Sequence, residues 1–156
     1  MDFCLFDTPV GQMALAGEGD AISRLYLPGL PLPRLASRET PLLARGREEL
    51  LEYLAGARRD FDLPLAPQGT PFQQRVWAAL REIPYGQTRS YRELALAAGS
   101  PRGYRAVGMA NHRNPIPILI PCHRVVGADG SLTGYGGGLE AKQFLLELEK
   151  RHGKAV

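Results

Sequence analysis

The chain has 156 residues, 44% hydrophobic, 8% aromatic and 22% charged, with a formal net charge of +3, the make-up of an ordinary globular protein that can bury one good core or two small ones. No segment approaches the run of about 20 apolar residues that a membrane span requires, and the opening Met1-Asp2-Phe3-Cys4 has neither the basic stretch nor the long apolar core of a signal peptide. The expectation is a cytoplasmic protein with no membrane anchor, and its only cysteines, Cys4 and Cys122, argue against a disulfide framework while permitting a reduced, reactive thiol.

Taken in chain order, residues 3–27 alternate apolar with small or polar residues around Thr8-Pro9-Val10-Gly11 and Gly17-Glu18-Gly19-Asp20, which predicts a short antiparallel meander. A Pro- and Gly-rich loop, residues 28–33, follows. Thr40-Pro41 then supplies an N-cap and a first-turn proline for a helix that buries Leu43, Leu50, Leu51 and Leu54 and stops at Gly56. The segment Leu63-Pro64-Leu65-Ala66-Pro67-Gln68-Gly69 reads as a linker, dividing the chain into an N-terminal structural domain, 1–67, and a second domain, 68–156.

Thr70-Pro71 opens the second domain's first helix, with Phe72, Val76, Trp77, Leu80 and Ile83 at helical spacing. Ser90-Tyr91-Arg92-Glu93 has the form of a capping box and starts a short helix to Ala98, with Gly99 at the turn. Ser100-Pro101 is expected to restart a helix at once, giving a helix-turn-helix. In that second helix Gly103, Ala106 and Ala110 form a nearly bare stripe bordered by Arg102 and Arg105. Such a stripe allows close approach either to a neighbouring helix or to a nucleic-acid groove, and the flanking arginines favour the groove.

Charge is unevenly spread: residues 1–67 carry 7 Lys/Arg against 10 Asp/Glu, and residues 68–156 carry 12 against 6. From Arg75 to Arg124 every cationic residue is an arginine, the side chain whose planar fork suits phosphates and base edges. The run Ile118-Leu119-Ile120-Pro121-Cys122-His123-Arg124-Val125-Val126 reads as a buried extended segment that sets one cysteine against two basic neighbours. A cysteine is often only a small core residue. Here its company favours a nucleophile, because nearby positive groups favour the thiolate. The glycine-dense loop Gly134-Tyr135-Gly136-Gly137-Gly138 lacks the order of a dinucleotide or phosphate-binding loop and suits a wall against a ligand. In the last helix, residues 139–151, Glu149 falls beside the apolar positions Leu145 and Leu146. It is either a partly buried carboxylate seeking a histidine or a surface residue paired with a lysine.

Ser90-Tyr91, Arg105-Ala106-Val107-Gly108, the run Asn114-Pro115-Ile116-Pro117-Ile118-Leu119-Ile120-Pro121-Cys122-His123-Arg124-Val125-Val126, Gly134-Tyr135 and Glu149 together resemble the O6-alkylguanine-DNA alkyltransferase family over about residues 70–150. The resemblance implies an α/β (α+β) fold, with a small antiparallel sheet domain followed by a mainly helical domain. It also implies DNA repair by a single, irreversible transfer of the alkyl group from O6-alkylguanine, and from O4-alkylthymine, to Cys122 after the nucleotide is flipped out. His123 would take the thiol proton through a water, Glu149 would support the imidazolium, Tyr91 would protonate the departing guanine, and Asn114 would link the recognition helix to the active-site segment. Arg105 would fill the vacated stack, with Arg102, Gly103, Ala106, Gly108 and Ser90 on the DNA face. Pro117, Val125, Tyr135 and Gly136 would line the base pocket.

The partner implied is double-stranded DNA bound through its minor groove by a monomer, with no cofactor and no metal. Tyr104, before the finger where the family often has a small residue, either packs inward or alters docking; Gly136 leaves only a backbone N–H where some members have serine. Cys4 has no second cysteine or histidine in its half, so a zinc site is not expected. The alternative is a non-catalytic alkyltransferase-like lesion binder, which lacks the active cysteine.

Overall fold

A computed structural model describes residues 1–153. The meander forms as β1 (Asp2–Thr8), β2 (Gly11–Glu18) and β3 (Ala21–Tyr26), an antiparallel sheet in that order. Alternation divides its faces: Cys4 and Phe6 pair with Leu15 and Met13 on the main core, while Phe3, Ala14 and Ala16 form a second cluster capped by Tyr26.

Helix α1 (Pro41–Leu54) starts where Thr40 accepts a bond from the Leu43 amide and Pro41 takes the first turn. Its buried residues are Leu43, Gly46, Glu49, Leu50, Tyr53 and Leu54. Leu51, expected inside, is only half-buried, because the face actually turned to the core passes through Leu50 and Tyr53. Gly46 is where the helix meets the sheet: a Cβ there would sit 2.9 Å from Leu15 Cδ1 and 3.0 Å from Ile22 Cδ1. Each leucine fully buried on this face contributes about 1.5–3 kcal/mol.

Helix α2 (Pro71–Arg81) and helix α3 (Tyr91–Ala97) both begin with complete capping boxes, Thr70 with Gln73 and Ser90 with Glu93. Trp77 on α2 donates its indole N–H to the Ala110 carbonyl at 2.9 Å, tying α2 to α4 (Tyr104–His112). The second helix of the helix-turn-helix thus starts later than Ser100-Pro101 implies. Residues 100–103 form a turn closed by Gly103 N–H to Ser100 O at 2.9 Å, and Gly103 is the N-cap. A single 3₁₀ turn, Cys122–Arg124, leads into β5 (Val125–Val126), which pairs in parallel with β4 (Arg89–Ser90). The chain then reaches α5 (Leu139–His152).

The apolar run before Cys122 is buried but is not a strand. Ile118 sits in a turn at φ 71, a left-handed conformation costing a non-glycine residue roughly 1–2 kcal/mol, and Pro117 bridges to Ile120. The segment expected to be a linker is also fastened: Ile22 N–H donates to Pro64 O and Ala66 N–H to Ile22 O. Leu25 N–H further bonds Pro115 O at 3.0 Å, and one cluster of buried side chains runs from Leu43 and Tyr53 through Trp77 to Cys122 and Leu145. The small antiparallel sheet and the helices together make a mixed α/β fold.

Candidate active site

Cys122 opens the 3₁₀ turn and is 5% exposed. Asn114, just beyond α4, fixes the turn's approach: its Nδ2 donates to Ile120 O at 2.8 Å and its Oδ1 accepts from Ile116 N–H at 3.0 Å. A buried side-chain amide with both ends bonded holds a loop as a backbone ladder would hold a strand.

The residues after Cys122 turn away from it towards α5. His123 Nε2 lies 2.6 Å from Glu149 Oε2. Arg124 makes a fork on the same carboxylate, Nε to Oε1 at 2.8 Å and Nη2 to Oε2 at 3.0 Å, and its Nη1 donates to Ile83 O at 2.6 Å. Gly86 N–H adds a bond to Oε1 at 3.1 Å. Glu149 is therefore the buried carboxylate and not the surface residue. Burial acts to raise its pKa, but the bonds and charges of His123 and Arg124 outweigh it and hold the group at about 2. Because an ionised carboxylate only accepts, Nε2 carries the imidazole proton and Nδ1 the lone pair. Nδ1 is buried with no hydrogen-bond partner among the described residues, and burial pushes the His123 pKa down against the pull of Glu149. The site thus contains a neutral histidine with a free lone pair, oriented by a carboxylate, which is the arrangement of a general base.

The expectation that the basic neighbours favour the Cys122 thiolate needs correction. The Arg124 charge is taken up by Glu149. Burial pushes the Cys122 thiol up to about 11, opposed by the Asn114 amide and the Lys142 ammonium. Cys122 rests as a thiol and needs a base at the moment of reaction. Lys142, which no sequence motif singles out, is wholly buried on α5. Its Nζ donates to Val125 O at 2.6 Å, Thr133 O at 3.3 Å and Thr133 Oγ1 at 3.4 Å. Its spacing from Leu145 and Glu149, three and seven residues on, is the signal that could have placed it on the inner face of that helix.

A cleft of about 740 Å³ reaches Cys122 and is lined by Asn114, Pro117, Tyr135 and Gly136, together with Leu25 and Tyr26 of β3. Nothing lies within 4 Å of the Cβ position of Gly136, so its backbone is open to the cleft. Val125, just past the 3₁₀ turn, is buried, its carbonyl fixed by Lys142. Tyr91 stands at the start of α3, one residue after Ser90, which pairs with Val126 of β5. Its hydroxyl shares a 2.5 Å hydrogen bond with Thr133 Oγ1, and its ring lies 3.6 Å from the Cβ position of Gly108 on α4.

The outer face of α4 presents Tyr104, Arg105, Ala106, Met109, His112 and Arg113 to solvent, and Arg102 is exposed in the turn before it. Arg105 has no ion pair among the described residues. The bare stripe is less continuous than its spacing implies: Gly103 is the cap, Ala106 faces out, and Ala110 is buried against Trp77. Tyr104, 48% exposed, points outward. The Ser90 hydroxyl accepts the Glu93 amide at 3.1 Å and so caps α3. Among the described residues no cluster of His, Cys, Asp and Glu is placed to hold a metal ion, and no helix is long and apolar enough to cross a membrane.

Residues 71–151 match the family described as 6-O-methylguanine DNA methyltransferase, DNA binding domain. The chain is similar to the constitutive methylated-DNA--protein-cysteine methyltransferase of Bacillus subtilis, 49% identical over 152 residues and 92% of each protein. It is 47% identical over 156 residues to the methylated-DNA--protein-cysteine methyltransferase of Methanosarcina barkeri, covering 97% of this chain and 99% of that one. In three dimensions it superposes on the crystal structure of Mycobacterium tuberculosis OGT in complex with DNA with a TM-score of 0.91, at 45% identity, over 97% of this chain and 94% of that chain.

Proposed function

The chain belongs to the 6-O-methylguanine DNA methyltransferase family, proteins that repair DNA by taking an alkyl group onto one of their own cysteines, and we propose that the accepting residue here is Cys122. The observation that carries this reading is a buried thiol followed directly in the chain by a histidine whose Nε2–H is held by Glu149 and whose Nδ1 has no partner among the described residues. Cys4, the other cysteine, is buried in the core of the sheet, and among the described residues no histidine follows it in the chain as His123 follows Cys122.

In the proposed step the Cys122 proton passes through a water to His123 Nδ1, and the imidazolium is stabilised by Glu149. The thiolate attacks the alkyl carbon on guanine O6: the S–C bond forms, the C–O bond breaks, and the bonding pair leaves with guanine. Tyr91 donates its hydroxyl proton to the departing base. The product is a thioether with no bond that water can cleave at a useful rate, so the protein acts once.

A thiol buried this deeply cannot reach a base still stacked in a duplex, so the nucleotide must turn out into the cleft, at a cost of a few kcal/mol, roughly. We assign Asn114, Pro117, Val125, Tyr135 and Gly136 to the base pocket. The exposed face of α4 then meets the minor groove, with Arg105 taking the place of the lost base, while Arg102, Gly103, Ala106, Gly108 and Ser90 support that face. The protein acts as a monomer, and a nucleophilic thiol that must stay reduced suits the cytoplasm.

The test is intact-mass measurement after mixing with a duplex containing O6-methylguanine. The wild type gains one methyl group and Cys122→Ser gains none; methylation persisting in the serine variant overturns the assignment.

A further inference from the structure

Tyr53 is a wholly buried tyrosine on α1, in the half of the chain that carries no part of the transfer machinery described above. Its hydroxyl donates to Glu149 Oε2 at 2.5 Å and lies 3.4 Å from His123 Nε2. We infer that Tyr53 is a positioning residue of the transfer site, which sets the proton affinity of His123 by drawing charge from the Glu149 carboxylate. This rests on the alkyl-transfer reading, in which His123 is the base.

The argument follows from what faces the two groups. Around Glu149 and His123 stand Tyr53 from α1, Tyr85 and the Gly86 amide from the connection after α2, Arg124 from the 3₁₀ turn, Lys142 on α5 itself and Tyr135 across the cleft. Burial and the positive charges of Arg124 and Lys142 all disfavour the imidazolium, and Glu149 alone favours it. Whatever disperses the negative charge of Glu149 therefore makes His123 less basic.

Tyr53 disperses it through a short bond from a hydroxyl that burial and the adjacent carboxylate keep protonated far above the ordinary tyrosine range. The hydroxyl oxygen could also accept from His123 Nε2–H, an effect of opposite sign. At 3.4 Å against 2.5 Å, the donation to the carboxylate is the stronger of the two. The consequence is a base that stays neutral, and able to accept the thiol proton, at a lower pH than the His–Glu pair alone would allow.

The test uses two substitutions of opposite sign in the full-length protein, with single-turnover rates on free O6-benzylguanine measured across pH so that DNA binding does not enter. Tyr53→Phe keeps the ring and removes the donor. Its acid limb should move up by about half a pH unit, a loss of about threefold in rate at a fixed pH on that limb, with a smaller change on the alkaline side. Replacing Tyr53 by 3,5-difluorotyrosine, a more acidic phenol and stronger donor, should move the limb down, and it preserves the fold should the Phe variant be unstable.

NMR titration of the His123 ring should follow both shifts. Limbs that do not move, a uniform loss at every pH, or displacement of both variants in the same direction would overturn the inference. A wild type that takes no methyl group from an O6-methylguanine duplex would instead overturn the alkyl-transfer reading, while the histidine titration would still report on Tyr53.

Discussion

Replacing Glu149 with glutamine should cost more stability than any other single isosteric change in the site. The carboxylate accepts from Tyr53, His123, Gly86 and twice from Arg124, all within 3.1 Å. Its pKa falls from an ordinary 4.5 to about 2, which corresponds to about 3 kcal/mol of stabilisation at neutral pH. Since the folded pKa is the depressed one, this stability is complete above the unfolded value of 4.5 and is lost as pH falls towards 2. Removing one partner of a buried pair also leaves the other charge uncompensated, here Arg124, which independently suggests a loss of about 3–5 kcal/mol.

Glu149→Gln is therefore expected to lose about 3–5 kcal/mol at pH 7, or about 10 °C in Tm for a chain of this length. The assay is urea denaturation of both proteins at steps between pH 7 and the acid limit of folding. The difference between them should shrink as pH drops below 4.5, because the wild type loses what the variant never had. A difference below about 1 kcal/mol at pH 7, or one that does not change with pH, would refute the reasoning.

Arg105→Ala should slow transfer from saturating duplex DNA by at least about tenfold while leaving reaction with free O6-benzylguanine unchanged, since only the duplex requires flipping; equal proportional losses on both substrates would remove the finger role. Duplex affinity should fall about a hundredfold between about 50 and about 200 mM salt if about four exposed arginines contact phosphates, and binding insensitive to salt would place the DNA face elsewhere. In the free protein, carboxamidomethylation of Cys122 by iodoacetamide, followed peptide by peptide, should keep rising with pH towards about 11. Lys142→Met, which removes an ammonium that favours the thiolate, should displace that rise upward.

The parts of this molecule that depend on neighbouring residues were legible in its sequence. The caps at Thr40, Thr70 and Ser90 and the meander follow from local chemistry, and Cys122 stands out because a cysteine that only packs has no need of two basic neighbours. The failures occur where partners lie far apart in sequence. Arg124 looked like an activator of the cysteine because the two are close in the chain, yet a carboxylate 25 positions on claims it. Tyr53 carries no signal of its role in the sequence, its partner being 96 residues away. The apolar run through Ile118 reads as a strand by composition alone. Its turn is imposed by Asn114, which clasps the backbone on both sides of it, and no periodicity carries that information.

The central claim, that Cys122 accepts the alkyl group and is consumed in doing so, is tested most directly by counting events per protein molecule. With O6-methylguanine duplex in molar excess, the yield of restored guanine should stop at one per protein chain, and peptide mapping should find the methyl group on Cys122 and none on Cys4. Restoration continuing past one equivalent, or a methyl group recovered on any other residue, would contradict it.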